Sequence, residues 1–308
     1  MGAYIGQRLL GAILVVFGVS LVTFFLTFLS GDPATLMLPP NATPNQIATF
    51  RQQWGFDQPV YLQYARFLSR AVQGDFGLSL RHGLPALPLI LDHLPITLQL
   101  TVTAMLLAIV IAVPLGMLSA THRGGRIDII AMAVALVGQA VPNFWLATMM
   151  ILLFAVGLGW LPTSGRGTWQ HIVMPATAIA INLVALMTRL GRSAMLEVLS
   201  EDYIRTARAK GMREFMVVAN HALRNALIPL VTVIGLQFGY ILGGAVVIET
   251  VFTYPGVGLF TVQAIMNRDY PVVQAAVFVL ATAVVLINLT VDLLYGALDP
   301  RIRLRATA

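Results

Sequence analysis

The sequence predicts an all-α membrane protein with six transmembrane helices and a small external helical lobe between helices 1 and 2. Three observations predict it. The composition is 58% hydrophobic and 10% charged, where soluble domains carry about 25% charged residues. A soluble fold so composed would leave large apolar areas facing water. Six apolar runs reach the length of about 20 residues that a helix needs to cross a bilayer. The basic residues gather at the ends of alternate runs, as they do in chains with a fixed membrane orientation. The net charge of +6 thus reads as a membrane-surface feature and not as a nucleic-acid footprint.

Residues 1–30 comprise an N-terminus and a first span at 9–29. Its apolar core is too long for a signal peptide and no A-x-A site follows it. Residues 31–95 hold eight of the sixteen prolines and form the lobe. Within it, "TPNQ" at 43–46 is a capping-box sequence: Thr43 at the N-cap, Pro44 at the first helical position, Gln46 reaching back. A helix to about Trp54 follows, ended by Gly55, and the apolar spacing of 59–72 predicts a second helix. Residues 96–298 form the membrane core, with spans at 97–120, 127–158, 172–190, 227–247 and 272–294. The 127–158 run is longer than a crossing needs and contains Pro142, so it is tilted, kinked or partly outside the bilayer. A cytoplasmic loop at 193–226 interrupts this core, and 299–308 is a tail.

Orientation follows from Lys and Arg in the short segments. Thirteen of the nineteen basic residues fall on one side: Arg8, Arg123, Arg126, the seven from Arg189 to Arg224, and Arg301, Arg303 and Arg305. The opposite short loops hold only Arg166 and Arg268. Both termini are therefore expected in the cytoplasm. Near the last span, Asp292, Asp299, Arg301 and Arg303 read as a membrane-anchoring charged end.

Several chemistries are missing. There is no cysteine, so no disulfide framework or cysteine zinc site. No phosphate-binding G-x-x-x-x-G-K-[ST] occurs, and the sole lysine, Lys210, precedes Gly211. The five histidines never form H-E-x-x-H or an i, i+4 pair, so no metal site is expected. No G-x-S-x-G elbow is present. No catalytic residue is expected and the chain reads as a non-enzyme.

The segment 205–229 reads as two short helices broken at Gly211. Ala207 and Ala209 permit close backbone approach before the glycine. After it, Met212, Phe215, Met216 and Ala219 fall at i, i+3, i+4 and i+7 and form an apolar stripe. Such a helix lies on a membrane surface or inserts into a groove on a partner protein; Met and Phe suit the second use.

"SEDYIRTARAKG" at 200–211 and "HALRNALIP" at 221–229 resemble the cytoplasmic loop of permease subunits in binding-protein-dependent ABC importers. The likeness is to the dipeptide, oligopeptide and nickel branch, including its glutathione importers. It extends to "GDP" at 31–33, "GDFGLS" at 74–79, "GWLPT" at 159–163, "VFTYPGVG" at 251–258 and "DPRIR" at 299–303. In the general pattern an E-A-A triplet, a glycine and an I-x-L-P sequence recur at fixed spacing. Here the triplet positions are Arg205, Thr206 and Ala207, followed by Gly211. His221 takes the Ile position, Leu223 matches, Arg224 and Asn225 follow it, and the proline comes later, at Pro229.

The resemblance implies that the loop is a coupling helix docked on a separate ATPase. ATP and magnesium are then bound by two partner ATPase subunits and not by this chain. A homologous second permease and an external substrate-binding protein complete the assembly, in the bacterial inner membrane. The implied substrates are short peptides, with nickel or another small solute as the alternative. A secondary transporter driven by an ion gradient is the alternative from another class. It calls for paired acidic or His residues at mid-membrane and for inverted repeats; a membrane scaffold calls for neither a coupling helix nor a polar path.

Polar residues in or near the spans are Gln139, Asn143, Asn182, Gln237, Glu249 and Asn288. They line a translocation path or serve as interhelical hydrogen bonds. Gly235, Gly239 and Gly243 form a small-residue ladder that admits a close helix, either from a partner or from this chain.

Overall fold

The computed structural model of the chain describes residues 2–29, 38 and 41–298. The helices run α1 Gly2–Leu29, α2 Pro44–Trp54, α3 Val60–Val72, α4 Ala86–Thr121, α5 Arg126–Ala140, α6 Asn143–Met150, α7 Gln170–Leu199, α8 Asp202–Ala209, α9 Glu214–Met216, α10 Leu223–Val251, α11 Val257–Met266 and α12 Tyr270–Leu298. Two π-helical turns, Ile151–Gly157 and Val217–Ala222, extend α6 and join α9 to α10. Among the described residues there is no strand, only a bridge between Leu78 and Pro85. The motif at 31–33 and the tail, with Asp299, Arg301 and Arg303, lie outside the described residues.

Among the described residues, five segments are long and apolar enough to cross a membrane: Gly6–Phe25, Ala86–Thr121, Gln170–Leu199, Pro229–Val251 and Tyr270–Val291. A sixth candidate is the helix pair Arg126–Ala140 with Asn143–Gly157, bent by 99°. The break has a local cause. Val141 is extended, with φ −80° and ψ 125°, because a following proline disfavours helical backbone at that position. Exposed Ile13, Val110, Leu136 and Leu236 sit on helix surfaces, where lipid tails are as apolar as the side chains they meet.

Two boundaries differ from the sequence expectation. The second span starts at Ala86 and not near residue 97, and its 36 residues amount to about 54 Å of helix. Pro88 and Pro95, which read as loop punctuation, are inside it. Transmembrane helices accommodate proline where neighbours re-satisfy the freed backbone groups. The fourth span continues to Leu199, past Arg189 and Arg192. The third run is two helices at an angle, the kinked form that its length and Pro142 allowed.

The described residues fall into two compact units, one drawn from Met1–Thr97 and Pro255–Leu289, the other from Leu98–Tyr254 and Thr290–Ala308. In the first unit, α2 carries the expected capping box. Thr43 N–H donates to Gln46 Oε1 at 2.8 Å, Gln46 N–H donates to Thr43 Oγ1 at 3.4 Å, and Gly55 closes the helix at φ +72°. Buried Gln63 of α3 reaches back to the carbonyls of Phe56 and Gln58, which ties α3 to the linker that follows α2. Tyr64 ties α3 to α1 through a 2.9 Å contact with Ser20 and edge-on packing against Phe17 and Phe24. Phe67, Phe76 and Phe278 extend this aromatic seam to α12. The "GDFGLS" motif ends on Ser79, whose hydroxyl donates to Asp269 at 2.5 Å, while the Leu80 and Arg81 amides donate to the same carboxylate.

In the second unit α7 is central and packs on α5, α6 and α10. Small residues set the approach. A Cβ on Gly116 of α4 would stand 3.1 Å from the Thr188 carbonyl, and one on Gly138 of α5 would stand 3.5 Å from Ala185. The glycine ladder of α10 divides. A Cβ on Gly235 would fall 2.1 Å from a methyl of Val291 in α12, whereas one on Gly243 would meet nothing within 4 Å. The close neighbour at Gly235 therefore belongs to this chain.

Candidate functional site

The loop between α7 and α10 is built around one glycine. The α8 helix ends in a Schellman turn: Gly211 N–H donates to the Arg208 carbonyl at 2.9 Å and Met212 N–H to that of Ala207 at 3.4 Å. Gly211 sits at φ +76°, the left-handed conformation that this motif requires. A fork of hydrogen bonds closes the turn from outside. Arg208 donates to Glu214 from Nε at 3.1 Å and from Nη2 at 2.6 Å. These bonds hold the Glu214 carboxyl below its usual range, so it is ionised at neutral pH.

The loop is seated on a compact apolar cluster. Met195 of α7, Ile204 and Ala207 of α8, Val217, Val218, Ala222 and Ala226 are buried together with Ala120 of α4. Met212 packs against this cluster. Phe215 and Met216 do not; they are 75% and 44% exposed. The sequence placed Met212, Phe215, Met216 and Ala219 on one stripe. The Schellman turn instead directs Met212 inward, and the π turn after Met216 breaks the 3.6-residue register. Nor is there a second free helix after Gly211, since α9 runs through that π turn into α10.

The remaining loop residues are placed as follows. Arg205, Thr206, Ala209, Lys210, Arg224, Asn225 and Pro229 are exposed, Ala207 is buried, and Ala219 and His221 are half-buried. Asn225 Nδ2 donates to the Tyr203 hydroxyl at 2.7 Å and to the His221 carbonyl at 3.2 Å. It thus links the start of α10 to α8. Arg205 pairs loosely with Asp202 at 3.3 Å.

Sequence reasoning missed an ion pair with a buried carboxylate at the foot of this loop. Asp128 of α5 is 4% exposed and accepts from Arg192 of α7 at 2.5 and 2.7 Å, from Ser119 of α4 at 2.5 Å and from the Gly124 amide at 2.9 Å. The available signal was a carboxylate inside an apolar run, which calls for a partner.

The polar span residues do not converge as one set. Asn182 of α7 donates its amide to Asn143 of α6. Gln139 is exposed and Gln237 half-buried. Glu249 is fully buried near the end of α10, and its carbonyl accepts from the Tyr254 amide. Asn288 belongs to the other unit, where its buried Oδ1 has no hydrogen-bond partner. The buried hydroxyls of Thr188 and Thr232 also lack partners and were not singled out from sequence. Asp292 lies within α12. Among the described residues, no three His, Asp or Glu stand close enough to hold a metal ion.

The sequence matches the family described as "Binding-protein-dependent transport system inner membrane component" over residues 112–304, and its N-terminal companion family over residues 1–101. It is 45% identical over 301 residues to the glutathione transport system permease protein GsiC of Escherichia coli (strain K12), covering 97% of this chain and 98% of that protein. GsiC of Shigella dysenteriae serotype 1 (strain Sd197) gives the same identity and coverage. The fold matches a chain of the MetNI methionine ABC transporter in an inward-facing conformation, with TM-score 0.60, 21% identity and coverage of 68% of this chain and 96% of that one.

Proposed function

Since the chain belongs to the family of binding-protein-dependent transport system inner membrane components, and is thus a permease subunit of an ABC importer, we propose that it carries short peptides, glutathione among them, driven by separate ATPase subunits. The peptide class is supported by the 45% identity to glutathione permeases along nearly the whole chain.

The observation that carries the coupling role is the exposed pair Phe215 and Met216 beside a turn that is closed and seated in its own cluster. A large aromatic next to a flexible thioether is the kind of anchor that fills a partner's groove. Arg205, Lys210 and Arg224 are exposed in the same loop and add positive charge to it. Closure of two ATPases, which bind ATP and magnesium, moves this knuckle and with it the spans. A second permease completes the path and an external binding protein delivers the peptide.

Within this reading residues 193–226 are the cytoplasmic coupling loop, 31–95 the external lobe, and both termini are cytoplasmic. Gln139 and Gln237 offer amides to a peptide, while Asn143 and Asn182 hold α6 to α7. The test is uptake of labelled glutathione, dipeptides and nickel in a strain with and without the chain. Peptide uptake is expected to depend on the chain and on ATP. Nickel uptake alone, or uptake that follows an ion gradient after ATP depletion, overturns the reading.

A further inference from the structure

We infer that Asp128 and Arg192 form the joint through which movement of the cytoplasmic loop reaches α5, the first arm of the bent span. The inference rests on the coupling role proposed above and assigns both as positioning residues for it.

The geometry is that of a clamp between the end of α4, the start of α5 and a position two turns inside α7. Arg192 presents Nε and Nη2 to the two oxygens of Asp128 at 2.5 and 2.7 Å, the two-pronged arrangement that fixes direction as well as distance. Ser119, fully buried in the last turn of α4, adds a third bond at 2.5 Å, and the Gly124 amide a fourth at 2.9 Å. Asp128 also lies in the first turn of α5, where the helix dipole favours a negative charge. The carboxylate is therefore fully engaged while almost removed from solvent.

The clamp is continuous with the loop's own support. Met195, three residues after Arg192 and hence on the same face of α7, is 1% exposed in the cluster that holds Ile204 and Ala207 of α8. Ala120, next to Ser119, belongs to the same cluster. Close backbone packing backs the joint, since a Cβ on Gly116 would stand 3.2 Å from the Arg192 amide. Displacement of α8 is thus handed to α7 by packing, and from α7 to α5 by the ion pair. A bidentate pair that separates leaves a carboxylate almost removed from solvent without its countercharge. The pair is the element of this chain of contacts that does not slip.

The test uses the full importer in proteoliposomes, with external binding protein and peptide. The chain has no cysteine, so spin labels at Ile130→Cys on α5 and Glu201→Cys before α8 are unique within it. With Asp128 and Arg192 intact, the distance between labels is expected to stay the same in nucleotide-free and ATP-trapped states. A distance that changes overturns the joint, and this measurement needs no clamp variant. The double variant Asp128→Asn with Arg192→Gln removes both charges and leaves neither alone. It is expected to keep assembly and ATP hydrolysis, to widen the label distribution, and to lower peptide delivered per ATP about tenfold. Unchanged delivery per ATP, or equal loss of hydrolysis and delivery, overturns the proposal. Absence of ATP-dependent uptake with the clamp intact removes the importer reading itself.

Discussion

Gly211 shows what one residue contributes. A Cβ there would touch nothing within 4 Å, so a substitution meets no steric obstacle beyond its own backbone. Its φ of +76° makes any β-branched residue strained by about 1–3 kcal/mol. Gly211→Val is expected to insert and assemble yet lose most peptide uptake, while Gly211→Asn, which tolerates this conformation, retains more; labelled-glutathione uptake against membrane content of the chain measures both. Phe215→Glu replaces an exposed aromatic by a charge and is expected to weaken recovery of the ATPase in a pull-down without altering insertion. Glu214 adds a pH sign. Its folded pKa is lowered, so its contribution is full above the ordinary carboxylate range and is lost as pH falls through the lowered value. Glu214→Gln should therefore reproduce at neutral pH the loop mobility that the intact protein shows only in acid, read by hydrogen exchange of residues 208–216. The glycine turn was legible because φ > 0 positions have a residue signature. The inward rotation of Met212 was not, because it depends on the Schellman geometry and on a cluster assembled from three other segments.

At the level of helices, local signals were read correctly where the chemistry is local. The capping box at Thr43 and Gln46 and the stop at Gly55 stand in α2 as the sequence indicated. The Pro142 break was visible in outline, but its angle of 99° was not, since rotation about Val141 is decided by what α5 and α6 pack against. The start of α4 was misplaced because Pro95 is a breaker only where no neighbour compensates for it. The π turn at Val217–Ala222 had no sequence signature, and it undid the stripe. Gly235 supplies a prediction of helix packing. A methyl there collides with Val291 at 2.1 Å, so Gly235→Ala is expected to destabilise the protein by about 1–3 kcal/mol. Adding Val291→Ala should restore most of the loss, as thermal unfolding in detergent can establish.

For the molecule as a whole, the composition and the spacing of the apolar runs were enough to give the membrane class, with five of the described apolar segments long enough to cross and the bent pair a sixth candidate. The clamp of Asp128, Arg192 and Ser119 was not legible, because its members are up to 73 residues apart in sequence and become a set only when three helices meet. Sidedness is testable in the cysteine-free chain. A single Asp57→Cys is expected to react with a membrane-impermeant maleimide in intact cells, and a single Glu201→Cys only after lysis; the reverse pattern inverts the topology. The 36-residue helix α4 reaches further than that. A hydrocarbon layer is about 30 Å thick and the rod about 54 Å long. Roughly 24 Å of its contour is therefore more than an upright crossing needs, so part of this helix is left for headgroups, water or protein to solvate.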